Sequence, residues 1–252
     1  MVEPADGATA PHAVVLDAVR VVYRLPLEPG LSLKESFVRR RRRQFVEHVA
    51  LDGIDLTVRR GEALGIIGAN GAGKSTLLKV VARVLHPTAG RVRVTGRVSP
   101  LLDLLGAFHP ELTGRENAYV AGTLLGLSAR ESTARIPAVE AFAGIGPFID
   151  APLRTYSSGM MLRLAFAVAT TVDADVLAVD EALAVGDAAF QEKCAERMRT
   201  FRENGVTFLV VSHDVLRLRD MCDRVLWLER GRMRALGPPG EVVGSYLEGL
   251  HT

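Results

Sequence analysis

Gly68-Ala-Asn-Gly-Ala-Gly-Lys-Ser-Thr76 follows the apolar run Ala63-Leu-Gly-Ile-Ile67 and precedes Leu77-Leu-Lys-Val-Val-Ala-Arg-Val-Leu85. The stretch fits G-x-x-x-x-G-K-[ST]. The run before it is short, apolar on both faces and followed by glycine, the pattern of a buried parallel strand. After it Leu77, Val81, Val84 and Leu85 recur at helical spacing. Strand, Gly-rich turn and helix together suit a polyphosphate. Glycines at 68, 71 and 73 let the backbone curl so that successive N–H groups point inward, and the helix N-terminus adds partial positive charge. Gly68, Ala69, Asn70, Gly71, Ala72 and Gly73 are the predicted cradle, with Thr76 closing it. Lys74 is expected to reach the outer phosphates and Ser75 to hold Mg²⁺.

A chain of 252 residues with 48% hydrophobic and 24% charged residues has the material for a sizeable core, in one large domain or two small ones. No apolar stretch approaches the roughly 18 to 20 residues that span a bilayer. Met1 to Pro11 lacks the regions of a signal peptide, so the expected location is the cytoplasm. Cys194 and Cys222 have no ligand-like cluster around them and read as reduced and structural. The formal charge is +2, yet Arg39 to Arg43 alone supply five positive charges, so the basicity is local.

In chain order, Ala13 to Tyr23 is rich in β-branched residues and reads as a strand pair or one long strand, and Val49 to Val58 as another. Residues 24–48 between them look like an insertion carrying the arginine run, either a short helix with a basic face or a solvated charged loop. Arg91 to Val98 alternates around a glycine turn, as an antiparallel, half-exposed sheet does. Helical patterns then replace strands over residues 105–172, at Gly114 to Leu127, Ala129 to Phe142 and Gly159 to Val168, the mark of a helical subdomain inserted into the core sheet. Strand character returns at Val176 to Asp180 and Thr207 to Val211, separated by a helix from about Ala188 to Asn204. Val225 to Met233 reads as a closing strand or hairpin, and Glu241 to Leu250 as a last helix.

Asp180 and Glu181 end an apolar strand at the edge where a parallel sheet meets its ligand. Asp180 is expected to hold Mg²⁺, and Glu181 to polarise the water that attacks the γ-phosphate in line. Tyr156-Ser-Ser-Gly-Met160 opens a helix that Ser157 or Ser158 is suited to cap, with Gly159 allowing close backbone approach.

With Lys74 upstream and Asp180-Glu181 downstream, that loop resembles the signature loop of ABC ATPases, usually Leu-Ser-Gly-Gly-Gln, and Val211-Ser-His213 resembles their switch histidine. Phe108 to Asn117, Tyr156 to Met160 with Arg163 to Val168, and Val179 to Asp187 with Phe190-Gln and Cys194 resemble more narrowly the subfamily that energises export of O-antigen, capsule and teichoic-acid chains. The resemblance covers nearly the whole chain. It implies a single α/β domain of the P-loop ABC ATPase class over residues 1–252, with a RecA-like core, an antiparallel β subdomain and the inserted helical subdomain. It also implies ATP and Mg²⁺ as ligands, His213 at the γ-phosphate and Tyr23 stacking on adenine, since a flat ring offers dispersion without reading hydrogen bonds.

Two departures from the family pattern stand out. The usual Q-loop glutamine is missing, the only glutamines being Gln44 and Gln191, and Asp103 is the nearest candidate for its metal-facing place. The signature has Ser158 where glycine is usual and Met160 in place of glutamine, which leaves the Ser157 hydroxyl and the Gly159 backbone for phosphate. The resemblance further implies a head-to-tail homodimer around two ATP molecules, with Ser157, Ser158 and Gly159 supplied in trans. Also implied are an integral membrane transporter subunit, a lipid-linked glycan as cargo, and a peripheral place on the cytoplasmic face of the membrane. The chain ends at Thr252, so the carbohydrate-binding module of some members is not expected. The alternatives are a non-transport ABC ATPase on nucleic acid or ribosomes, and a stand-alone nucleotide kinase or GTPase. Five arginines without interleaved aromatics are a thin nucleic-acid signal, and no guanine-reading Asn-Lys-x-Asp occurs, so no nucleic-acid partner is expected.

Overall fold

A computed structural model of the chain describes residues 12–26, 45–101, 104–180, 187–212 and 214–249. The arginine run, Asp103, Glu181 and His213 lie outside the described residues.

Two sheets form the frame. Strands β1 (His12–Pro26), β2 (Phe45–Arg59) and β4 (Ala89–Val94) make an antiparallel sheet in the order β2-β1-β4. The second sheet runs β5 (Val98–Pro100), β6 (Val176–Asp180), β7 (Thr207–Val211), β3 (Ala63–Ile67), β8 (Arg224–Glu229), β9 (Arg232–Gly237). Its first five strands are parallel and β9 returns antiparallel beside β8. Positive φ at Arg230 (48°) and Gly231 (77°) gives the two-residue turn whose twist matches a hairpin, so the closing segment is a hairpin rather than one strand. β3 and β7 are buried at every residue, as the continuous apolar runs predict for strands covered on both faces. β1 is one long strand, and its ladder with β2 continues out to the rung Pro26↔Phe45, inside the stretch read as an insertion.

The first helix, α1 (Lys74–Val81), touches β2 and β4 on one side and β6 and β7 on the other. Wedged between two sheets, it buries Leu77, Leu78, Val80 and Val81, an apolar surface on more than one face. It is shorter than the spacing of Val84 and Leu85 predicts. Arg83 takes φ 59° and donates to the Val94 carbonyl at 2.6 Å, which turns the chain and leaves Val84 65% exposed. Arg91 to Val98 also departs from the reading of one antiparallel element. β4 stays with β1, but at Gly96 (φ 90°) the chain crosses to the parallel sheet, where Arg97 N–H donates to Asp175 at 2.7 Å and Ser99 is fully buried. A Cβ at Gly96 would stand 2.3 Å from the Asp175 carboxylate, so the crossing needs glycine.

The helices α2 (Gly114–Leu124), α3 (Ala129–Ala143) and α4 (Ser158–Thr171) pack on each other and cover the parallel sheet. α2 and α3 each begin with a capping box, Thr113 with Glu116 and Ser128 with Glu131. In both pairs the hydrogen bonds from the cap hold the glutamate carboxyl below its usual range. Beyond β6 come α5 (Ala188–Glu203), the seven-residue α6 (Val215–Met221) and α7 (Pro239–Gly249). Two hydrophobic clusters result, one under the helical layer and one between the two sheets around α1.

Candidate nucleotide site

The loop after β3 is pinned from both sides. Gly68 has φ 147°, and a Cβ there would stand 2.3 Å from the Leu228 carbonyl oxygen; Gly73 has φ 105°, and its Cβ would stand 2.5 Å from the Ala50 carbonyl oxygen. Neither position tolerates a side chain without moving β8 or β2. The β8–β9 turn holds the loop further, Gly231 N–H donating to the Ala72 carbonyl at 3.0 Å. Gly73 caps α1 without a side-chain hydrogen bond, so the first-turn N–H groups have no side-chain partner at the cap.

Lys74, 7% exposed, donates from Nζ to the carbonyls of Gly68 at 2.7 Å and Ala69 at 3.1 Å. The ammonium therefore folds back over the loop, held above the place a phosphate chain would occupy. Ser75 Oγ donates to Asp180 Oδ2 at 2.9 Å, joining the start of α1 to the end of β6. A hydroxyl and a carboxylate in contact at the mouth of a phosphate loop are hard oxygen donors of the kind Mg²⁺ takes, phosphate oxygens and water completing the shell. Among the described residues no group of three or more His, Cys, Asp or Glu side chains is placed to hold a metal by itself. These donors thus fit a cation that arrives with the nucleotide.

A cleft of about 220 Å³ opens over this constellation, lined by Asn70, Gly71, Gly73, Lys74, Ser75, Thr76 and Asp180 on one side. Tyr23, His48 and Ala50, from β1 and β2, form the other. The antiparallel sheet thus brings Tyr23 to the cleft beside the loop. His48 is a residue the sequence reading passed over.

Ser157 is the residue that caps α4, its hydroxyl accepting from Met160 N–H at 3.2 Å. Ser157 and Ser158 are exposed and Gly159 is half-buried, and none of the three lines the cleft. The loop is braced from behind. Tyr156 is buried, its hydroxyl donates to the Phe148 carbonyl, and burial with the nearby Asp150 charge pushes its pKa up. Further along α4, Arg163 donates to Asp187 Oδ2 at 2.8 Å, while Asp187 Oδ1 accepts from Phe190 N–H at 3.0 Å and caps α5. The Arg163 guanidinium also lies 4.9 Å from the centre of the Phe190 ring, which packs edge-on against Phe142 and Phe166. Aromatic contacts of this kind are worth about 0.5–1.5 kcal/mol each beyond area burial. The helix that carries the exposed serines is thereby fastened to Asp187 and Phe190 at the start of α5, a link no motif spacing reveals.

Cys194 and Cys222 are free and buried, and burial pushes their thiols up to about 11 and about 12 respectively. At neutral pH neither is a nucleophile, which agrees with a structural role. Among the described residues no helix is long and apolar enough to cross a membrane.

Residues 51–184 match the family model described as ABC transporter. The O-antigen export system ATP-binding protein RfbB of Klebsiella pneumoniae is 47% identical over 81% of this chain and 83% of its own length. The ABC transporter protein AbcA of Aeromonas salmonicida is 51% identical over 80% of this chain and 66% of its own length. The teichoic acids export ATP-binding protein TagH of Shouchella clausii is 39% identical over 92% of this chain and 64% of its own length. Among solved structures, a dimeric ATP-binding cassette in a post-hydrolysis state bound to ADP and Pi has the same fold, with a TM-score of 0.70 at 21% identity over 90% of this chain and 98% of that chain. The chain belongs to the ABC transporter family and is one of its ATP-hydrolysing cassettes.

Proposed function

We propose that this chain powers export of a lipid-linked cell-surface glycan, working as an ATP-driven homodimer beneath a separate membrane subunit on the cytoplasmic face. The observation that carries the reading is the 47% identity, over most of both chains, to an O-antigen export ATP-binding protein. The cleft supplies the chemistry. Lys74 neutralises the outer phosphates of ATP. Ser75 and Asp180 would hold Mg²⁺, which when bound would screen phosphate charge and withdraw electron density from the transferred group. Glu181, directly after Asp180, polarises a water for in-line attack on the γ-phosphorus, giving ADP and phosphate, and His213 contacts the γ-phosphate. Asp103 is the proposed replacement for the absent glutamine.

Ser157 and Ser158 are exposed, and neither they nor the half-buried Gly159 line their own cleft; this supports a shared site, in which the three close over the ATP of a second copy. Two ATP molecules then hold the halves together through charge-assisted contacts. Loss of the γ-phosphate removes those contacts and opens the dimer, a ligand-driven shift that the membrane subunit converts into movement of cargo.

The test is made in cells lacking this chain. They are expected to keep lipid-linked glycan inside and to lose it from the surface, with display restored by the wild-type chain and not by Asp180→Asn. Unchanged surface glycan in the deletion contradicts the proposal. A second arm replaces Arg39 to Arg43 by serine. We assign this run to a phosphate-rich partner at the membrane, because guanidinium forks suit phosphate. Export should fall while basal ATPase stays, and unchanged export contradicts that assignment.

A further inference from the structure

We propose that His48 is a second nucleoside-gripping side chain, acting beside Tyr23 on the base and ribose of the bound nucleotide and not on its phosphates. The inference rests on the assignment of ATP to the cleft. Tyr23 and His48 are direct partners on the β1–β2 ladder. Opposed residues of an antiparallel pair project from the same face, with Cβ atoms about 4.5–5.5 Å apart. Both line the cleft that holds Lys74, Ser75 and Asp180. The next rung is Arg24↔Glu47, whose side chains pair with each other at 3.2 Å; strand alternation puts them on the opposite face. The rung that faces the cleft is therefore the aromatic one, and the charged rung is turned away.

The two halves of the cleft differ in chemistry. The loop side carries a buried ammonium, a hydroxyl and a carboxylate, the groups a phosphate chain and its cation need. The strand side offers a phenol ring, an imidazole ring and Ala50, flat or small surfaces suited to a purine and a sugar. Tyr23 is half-buried and packs against the cluster between the sheets, which fixes its position. His48 is exposed, so its ring can settle onto a bound nucleoside without disturbing the core.

The experiment compares binding of ATP, ADP and inorganic tripolyphosphate by the wild-type chain, His48→Ala, His48→Phe and Lys74→Ala, by calorimetry with Mg²⁺. His48→Ala is expected to weaken ATP and ADP equally, by about three- to tenfold, and to leave tripolyphosphate unchanged. His48→Phe, which keeps a flat ring, should retain most of the nucleotide affinity. Lys74→Ala should weaken tripolyphosphate as well as ATP. Wild-type ATP affinity in His48→Ala overturns the inference, and so does an equal loss of tripolyphosphate, which would place the imidazole at the phosphates. If Lys74→Ala also leaves ATP binding untouched, the cleft assignment itself fails. If Lys74→Ala weakens ATP and His48→Ala does not, only the role of His48 fails.

Discussion

Lys74→Ala is expected to lower ATP hydrolysis by about 10²–10³-fold, the loss that follows removal of one preorganised charge-stabilising donor. The size of the effect comes from burial. Lys74 is 7% exposed and its ammonium is held by two loop carbonyls at 2.7 and 3.1 Å, so it enters the reaction already positioned and largely stripped of water. Lys74→Arg should not rescue, because a forked guanidinium does not fit where a single ammonium donates to Gly68 and Ala69. Lys74→Ala also removes two hydrogen bonds, one of them buried, each worth only about 1 kcal/mol of stability. Steady-state phosphate release and a thermal melt separate the two: activity should collapse while the melting temperature falls by a few degrees at most. An alanine variant that hydrolyses ATP at the wild-type rate contradicts the site.

Glu181→Gln is expected to lower kcat by about 10²–10⁴-fold while ATP affinity is retained. Glutamine keeps the shape and hydrogen-bonding reach of the side chain but cannot accept the proton of the attacking water. Asp180, which accepts from Ser75 at 2.9 Å, is not altered by the change, so nucleotide and Mg²⁺ are still expected to bind. Single-turnover measurement with a binding isotherm reads both parts. A matching loss of affinity would mean that Glu181 holds the nucleotide and is not the base.

The phosphate loop is legible from sequence because its glycines have steric causes. Gly68 and Gly73 sit where a Cβ would strike a carbonyl oxygen of a neighbouring strand, so their spacing records the contact. The pairing of Ser75 with Asp180 is legible for a related reason, since a loop after one parallel strand and an acid at the end of another meet at the same sheet edge. His48 is not legible. Its place opposite Tyr23 depends on the register of a ladder with irregularities between Leu16 and Val22, and counting residues along either strand does not recover that register. The crossing at Gly96 is hidden because β5 has three residues, too few for a period to appear. The same shortness hides α6. By contrast, the helix starts at Gly114 and Ala129 fall where the sequence places them, and their cause is the capping boxes of Thr113 with Glu116 and Ser128 with Glu131. The bridge from Arg163 to Asp187 joins two motifs visible separately, and only the packing of α4 against α5 around Phe142, Phe166 and Phe190 brings them together.

A site completed by a second copy of the chain is tested most directly by light scattering of the Glu181→Gln protein with ATP and Mg²⁺, beside Glu181→Gln with Ser157→Arg. Slow hydrolysis in the first protein is expected to preserve the ATP proposed to hold the halves together. The arginine at position 157 removes the exposed α4 cap and places a bulky side chain where the partner's nucleotide would lie. The prediction is a dimer that forms only with ATP in Glu181→Gln and a monomer under all conditions in the double variant. A Glu181→Gln protein that stays monomeric with saturating ATP, or a dimer indifferent to the arginine, contradicts the shared site.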